Sequence, residues 1–232
     1  MESNVHERIL LNTTIGDVAL HQCKLAVGGR QWALLHTGAT ITVVEEVEFI
    51  HGPSAGLPYG VALWPSAIAL AHEVALREHE FQNRTVLELG AGTGLPGIVA
   101  AATGAKVMQT DRQELALHLC RINAERNGAR GIEHREADWA EWTVEETFDW
   151  ILAADILYAE SLHSQLRQIF ERNLKPTGRV LLADPFRSAS LPMLEAMEAD
   201  GWKVVMSKWR VGDDSDPRSI GVYELTPPSP GK

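Results

Sequence analysis

A strand-like run, Thr85-Val86-Leu87-Glu88-Leu89, leads into Gly90-Ala91-Gly92-Thr93-Gly94-Leu95-Pro96-Gly97. Glycines packed this densely between a strand and a helix let a ligand come close to the backbone, and the free N–H groups of the helix start favour a negative group. That chemistry fits a nucleotide-type cofactor. The spacing narrows it, because a dinucleotide fingerprint G-x-G-x-x-G built on Gly90 and Gly92 needs glycine where this chain has Leu95. What stands instead is E-x-G-x-G-x-G, with Glu88 two residues ahead of the first glycine. Asp111 closes the next apolar run, and an acid there can accept hydrogen bonds from both hydroxyls of a ribose. It can equally cap the helix expected over 114–127, and the two roles are compatible. A dinucleotide site and a purely structural glycine turn stay open as alternatives at this point.

These residues need elements to position them. After Asn83 the pattern is regular: strands over 85–89, 105–110, 132–135, 148–154 and 180–184 alternate with helices over 95–103, 114–127, 161–174 and 191–200. Lys175-Pro176-Thr177-Gly178 reads as a turn. Two closing strands, 202–209 and 219–225, flank a polar loop with no helix between them, so they form an antiparallel pair at one edge. Strand–helix alternation implies a mostly parallel sheet with helices on both faces. Upstream, Ser66 to about Glu80 has helical spacing of apolar residues. Residues 1–59 are β-leaning, with strands expected near Val18–Leu20 and Trp32–Leu35, a β-branched stretch from Ala39 to Ile50 and a Gly/Pro loop from His51 to Tyr59. The expected organisation is an N-terminal β-rich extension or lid (1–59), an α/β domain (60–225) and a disordered tail (226–232).

Composition bounds the function. The 232 residues are 45% hydrophobic and 22% charged, the profile of one soluble globular domain. A formal net charge of −10 argues against a protein whose affinity comes from neutralising phosphates. Cys23 and Cys120 form no C-x-x-C pair, so neither a disulfide framework nor a zinc cluster is expected, and a reducing, cytoplasmic compartment is the easier assumption. The start of the chain lacks a secretory pattern, and the apolar stretch Gly60–Ala71 is too short to span a bilayer. The nine histidines show no H-E-x-x-H or His/Cys/Asp cluster, so no metal is expected. Asp213, Asp214 and Asp216 lack the rest of a calcium loop and read as a solvated hairpin.

Three further segments carry a resemblance. Gly60-Val61-Ala62-Leu63-Trp64 lies upstream of the glycine turn, Asp138-Trp139 follows the third strand, and Asp155-Ile156-Leu157-Tyr158 closes the fourth. With E-x-G-x-G-x-G, the ordered set G-x-x-x-W, motif I, D-W and D-x-x-Y resembles the seven-strand protein-lysine methyltransferases of the methyltransferase family 16 group, over roughly Gly60 to Leu225. The resemblance implies a Rossmann-like class I fold and S-adenosylmethionine as cofactor, with S-adenosylhomocysteine as product. It implies that Gly90, Ala91, Gly92 and Gly94 cradle the methionine part, and that Glu88 supports the loop and the amino group. Asp111 then takes the ribose and Trp64 borders the cofactor. Trp139 lies against the adenine with Asp138 near its amine, and Ala154 sits beside the sulfonium. Trp142, Trp150, Trp202 and Trp209 are left to the core.

Asp155 and Tyr158 are the catalytic candidates by the same resemblance. Methyl transfer from a sulfonium is an in-line displacement, so the protein mainly positions a lone pair. A lysine acceptor, of reference pKa about 10.4, must lose a proton. A carboxylate can orient the ammonium, and an aromatic hydroxyl suits a cation. The alternative for Asp155 is a cap on the helix near Ser161. Enzymes that methylate nucleic-acid amines usually carry [D/N]-P-P-[Y/F/W] here, and Ile156-Leu157 replaces the prolines. Asp184-Pro185-Phe186-Arg187 is similar to the D-P-x-R segment of a branch that methylates the electron-transfer flavoprotein β-subunit, which places Asp184, Phe186 and Arg187 on the substrate side. A turn with a solvated arginine is the other reading. The expected partner is a protein presenting a lysine, with no nucleic acid and no membrane, and the oligomeric state is left open. A small-molecule N-methyltransferase and a non-catalytic cofactor-binding protein are the competing functions.

Overall fold

The structure is a computed structural model that describes residues 9–13, 16–38, 59–212 and 217–228. The expected stretch 39–50, most of the loop from His51 and the acidic hairpin at 213–216 therefore lie outside the described residues.

The chain opens with three antiparallel strands, β1 (Ile9–Thr13), β2 (Gly16–Val27) and β3 (Arg30–His36), ordered β1-β2-β3. The strands expected at 18–20 and 32–35 fall inside β2 and β3, while β1 is an addition to the sequence reading. A short 3-10 turn at Tyr59–Val61 leads into helix α1 (Pro65–Leu76), then α2 (Glu78–Phe81). The single helix expected over 66–80 is broken at Arg77, and the bend returns Phe81 to the core, stacked on Trp150 at 4.7 Å.

From there the alternation follows the sequence: β4 (Thr85–Leu89), α3 (Leu95–Ala102), β5 (Lys106–Asp111), α4 (Glu114–Arg126), β6 (Ile132–Glu136), β7 (Phe148–Ala154), a 3-10 turn at Glu160–Leu162, α5 (His163–Asn173), β8 (Leu174–Asp184), α6 (Ser190–Ala199), β9 (Lys203–Val211) and β10 (Arg218–Thr226). The seven-stranded sheet has the order β6-β5-β4-β7-β8-β10-β9, and β10 alone runs antiparallel to its neighbours. The turn expected at 175–178 lies within β8. The ladder explains why both descriptions apply: Phe148 pairs with Leu174 but Trp150 pairs with Arg179, so the four residues Lys175–Gly178 bulge between them. Thr226 is strand, paired with Lys203, one residue into the stretch expected as tail, and residues 229–232 lie outside the described part.

Side chains alternate across the sheet and both faces are buried. Val86, Trp150, Leu152, Leu181 and Ala183 face α1 and α3, while Leu87, Leu89, Ile151, Ala153, Val180 and Leu182 face α5 and α6. Trp202 is buried on the second face, and Trp142 donates its indole N–H to Asn173 Oδ1 at 2.8 Å. Trp209 donates to Glu73 on α1 at 2.9 Å, which ties the terminal hairpin to that helix. Of the tryptophans left to the core, Trp150 and Trp202 are buried in it, and Trp142 and Trp209 are partly buried against it. The chain runs from β4 outward to β6, then crosses back to β7 on the other side of β4. The carboxyl ends of β4 and β7 therefore border the crevice at which such sheets bind ligands.

The N-terminal sheet is fixed to this body through α4. Asn123, wholly buried, accepts from Leu35 N–H at 2.8 Å and donates to Leu35 O at 3.0 Å and Thr93 O at 2.9 Å. One helical turn on, Asn127 accepts from Ala33 N–H at 2.9 Å and donates to Ala33 O at 2.8 Å. Two side-chain amides thus play the part of a fourth strand along the outer edge of β3. Asn123→Leu leaves two buried carbonyls and an N–H unpaired, and we expect a loss of about 3 kcal/mol or more. Asn127→Ala, at a wetter place, costs about 1 kcal/mol. Urea unfolding checks this, and equal losses from the two variants would contradict the assigned burial of the clasp.

Candidate functional site

The ends of four parallel strands supply the site. Gly90 follows β4, Asp111 ends β5, Asp155 follows β7 and Asp184 ends β8. Gly90, Asp111 and Asp155 border a cavity of about 420 Å³. Ten of the expected residues line it: Trp64, Gly90, Gly92, Asp111, Asp138, Trp139, Ala154, Asp155, Tyr158 and Arg187. Glu88, Ala91, Gly94, Asp184 and Phe186 do not.

The four glycines divide into two pairs with different reasons. A Cβ on Gly90 (φ 61°) would stand 3.2 Å from Trp139 Cζ2 and 3.3 Å from Ile156 Cγ2, and one on Gly92 would stand 3.0 Å from Gly60 O. These two let walls of the cavity close on the loop. Gly94 and Gly97 face inward: a Cβ on Gly94 would stand 2.9 Å from Gln109 Nε2, and one on Gly97 2.6 Å from the same atom. They make room for a buried polar pair, in which Glu88 Oε2 accepts from Gln109 Nε2 at 2.6 Å and from Gly97 N–H at 3.1 Å. The period of two puts Glu88 on the Val86 side of β4, beneath the glycine turn and out of the cavity.

Asp111 holds the turn from the other side. Its Oδ2 accepts from Gly92 N–H at 3.2 Å and its Oδ1 from Gln113 N–H at 3.0 Å, and burial pushes its carboxyl above the usual range. It makes no N-cap bond to α4. Next to it, Gln113 lines the cavity, and its buried Oε1, beside Gly60, has no hydrogen-bond partner. Asp138 accepts from Ala140 N–H at 2.8 Å, a local turn that sets Trp139 against Gly90. Arg112, Ala137 and Ile156 also border the cavity, and each adjoins an expected site residue, which is the signal that could have found them, while Gln113 lies two residues beyond Asp111. Leu162, which also lines it, carries no such signal.

At the far wall, Asp155 and Arg187 form an ion pair of 2.7 Å, Nε to Oδ1, with the carboxylate side chain only 6% exposed. The guanidinium lies 6.0 Å from the ring centre of Trp64. Asp184, wholly buried, accepts Arg187 N–H at 2.7 Å and lies 3.0 Å from Ser190 Oγ. Burial raises the Asp184 carboxyl above its ordinary range. Asp155 thus meets an arginine rather than capping the helix near Ser161, whose first turn has no side-chain cap. Asp155 (φ 58°) and Phe186 (φ 62°) both take the left-handed backbone that only Asn83 shares among the described non-glycine residues. Strain of this kind, about 1–3 kcal/mol per residue, gathers where surroundings dictate a position. Tyr158 is 53% exposed at the rim and Phe186 44% exposed beyond it, with Lys208 Nζ 5.9 Å from its ring centre. Among the described residues, no His/Cys/Asp/Glu group is arranged to hold a metal ion, and no helix is long and apolar enough to cross a membrane.

Comparison with known proteins adds to this geometry. A family described as lysine methyltransferase matches residues 53–194. The chain is 36% identical over 141 residues to the protein-lysine methyltransferase METTL21E of Mus musculus, covering 56% of this chain and 57% of that protein. It is 39% identical over 136 residues to the protein N-lysine methyltransferase METTL21A of Xenopus tropicalis, covering 55% and 62%. The chain therefore spans about three fifths of the length of these relatives. In fold it is similar to the T. thermophilus 16S rRNA N2 G1207 methyltransferase RsmC, solved with AdoMet and guanosine. That likeness has a TM-score of 0.59 at 17% identity, over 90% of this chain and 50% of that one.

The sealed Glu88 makes stability depend on pH. Burial lifts its carboxyl from an ordinary 4.5 to about 8, against the opposing pull of the bonds from Gln109 and Gly97. The folded state therefore holds a proton that the unfolded chain releases above about pH 4.5. The stability tied to that proton is complete below this pH and is lost as pH rises through about 8. Glu88→Gln keeps the shape without the ionisation. We expect the variant to gain on the parent by roughly 2–5 kcal/mol between pH 5 and pH 9. Parallel stability curves for the two proteins in urea titrations at several pH values would refute this.

Proposed function

This chain belongs to the lysine methyltransferase family, and on that premise we propose that it transfers the methyl group of S-adenosylmethionine to a lysine side chain of a protein. The observation that carries the proposal is Asp155, a buried carboxylate on strained backbone at the wall of a cavity that the glycine turn also borders.

The residues present fit the cofactor. Gly90 and Gly92 leave the loop bare toward the cavity, where the methionine part would lie. Asp111 would accept the ribose hydroxyls. Trp139 would lie against the adenine with Asp138 near its amine, and Trp64 and Ala154 would border the sulfonium. The orphan Oε1 of Gln113 supports a ligand rich in donors at this end. When bound, S-adenosylmethionine supplies an electrophilic methyl group on a sulfonium and leaves as S-adenosylhomocysteine. Glu88, Ala91 and Gly94 would act one layer back, by holding the turn.

What the chain itself does is orient and desolvate. Asp155 receives the acceptor nitrogen and aims its lone pair along the axis of the cavity, the positioning that a displacement requires. Ile156, Leu162 and Trp64 make that end apolar, which disfavours an ammonium and helps the lysine shed its proton. Tyr158 at the rim offers its hydroxyl and ring face to the lysine stem as it enters. Ile156-Leu157, in place of two prolines, favours a protein over a flipped base. The two unpaired thiols, Cys23 and Cys120, suit a reducing compartment such as the cytoplasm.

Incubating a cell lysate with labelled S-adenosylmethionine tests the proposal. The expected result is methyl-lysine in acid hydrolysates, reduced about a hundredfold by Asp155→Ala, while both proteins bind S-adenosylhomocysteine equally in calorimetry. Label on arginine or in the small-molecule fraction, or equal labelling by the two proteins, would overturn it.

A further inference from the structure

Beyond the cavity, one surface strand differs from the rest of the chain in its charge. The nine residues of β9 (Lys203–Val211) hold three cations and no acid, in a chain of net charge −10. Lys203, Lys208 and Arg210 are all exposed, and none of them forms an ion pair among the described residues. The strand is an edge of the seven-stranded sheet, with β10 on its one paired side. Lysines at an edge commonly serve to repel other sheets. Repulsion does not account for the apolar groups that accompany them here. Side chains alternate along a strand, so Met206, Lys208 and Arg210 share one face. Met206 is 48% exposed, and Lys208 Nζ lies 5.9 Å from the ring centre of Phe186.

The register places this face beside the site. Lys208 pairs with Gly221, which pairs with Asp184 at the end of β8. Phe186, two residues on, is 44% exposed on a left-handed turn fixed by the bond from Arg187 N–H to the buried Asp184. Strained backbone that presents an aromatic ring to solvent is costly unless the ring has a use there. Aromatic residues, Met and Arg are also the types enriched where proteins meet. From Arg187 at the cavity wall, Phe186 leads directly to Lys208.

We propose that Phe186, Met206, Lys208 and Arg210 form a docking surface for an acidic segment of the acceptor protein, separate from the slot that takes the lysine. It rests on the lysine reading above and adds how the protein that carries this lysine is chosen. Three cations are too few to hold a polyanion against the overall negative charge, whereas they suit a short acidic stretch. The sheet sets the spacing. In the order β7-β8-β10-β9, three strand spacings separate the end of β7 from β9, a span of about 14 Å. Extended chain covers that in about four or five residues. The acids therefore belong about five residues from the methylated lysine and not next to it.

The test uses fluorescent peptides with one lysine and a block of acids set about one, five or twelve residues away on either side. Binding is read by anisotropy with S-adenosylhomocysteine present, and methylation by rate. Wild type is expected to bind the middle spacing about fivefold tighter than the other two, the scale of two screened ion pairs. The gain falls in KM rather than kcat. Lys208→Glu combined with Arg210→Glu abolishes it and favours a basic block instead, while Lys208→Arg combined with Arg210→Lys keeps it. Equal S-adenosylhomocysteine affinity in all three proteins shows an intact cavity. Equal binding at every spacing overturns the proposal, as does a preference that survives the double charge reversal. So does a single-stranded RNA, or a second copy of the chain, that binds wild type and is released by the same reversal. Docking at the middle spacing with no methyl-lysine in any peptide or lysate protein strikes instead at the lysine reading and leaves the surface standing.

Discussion

The carboxyl of Glu88 lies sealed between β4 and α3, where it accepts from the Gln109 amide and the Gly97 N–H. A polar group with no water must have partners, and these two belong to the next strand and the first turn of the next helix. Gln109 also donates to Gly94 O at 2.9 Å. Strand, turn, helix and neighbouring strand are thereby joined at one point, and the spacing of Gly94 and Gly97 is what admits it. With the underside of the turn fixed in this way, Gly90 and Gly92 can stay bare on its upper side. The open cavity wall depends on a closed polar core beneath it.

Much of this was legible in the sequence, for a physical reason. Strands buried on both faces read as short apolar runs, and Asp111 at the end of β5 and Asp155 just after β7 mark where such runs stop, although the role expected of Asp155 comes from the D-x-x-Y resemblance. Side-chain pairing across distance was not legible. Nothing in the composition of α4 says that Asn123 and Asn127 face the edge of a strand about ninety residues earlier. The bulge at 175–178 looked like a turn because its residues are turn formers, and only the partner strand shows that the ladder resumes. A glycine, too, does not reveal whether it serves a ligand or a neighbour. Glu88 and Gly94 belong to the same motif as Gly90 and Gly92, yet they face the opposite way.

Charge is arranged more economically than a count of acids implies. Glu88, Asp111, Asp138 and Asp155 stand at strand ends, but they do not add up to an anionic basin. Glu88 holds its proton up to about pH 8. Asp111 and Asp138 are occupied by backbone N–H groups, and Asp155 is balanced by Arg187. A cationic ligand would meet directed acceptors rather than a diffuse negative field, and directed acceptors discriminate by geometry.

The asparagine clasp has a consequence for the order of synthesis. The outer edge of β3 is complete once residue 36 has left the ribosome, whereas its partners sit at 123 and 127. Through the intervening stretch of translation the nascent chain carries a strand edge with no cover, the kind of surface that recruits other chains. A strand made early is thus closed only once α4 has followed it. Helix α4 then serves as the bolt that retires an early aggregation hazard.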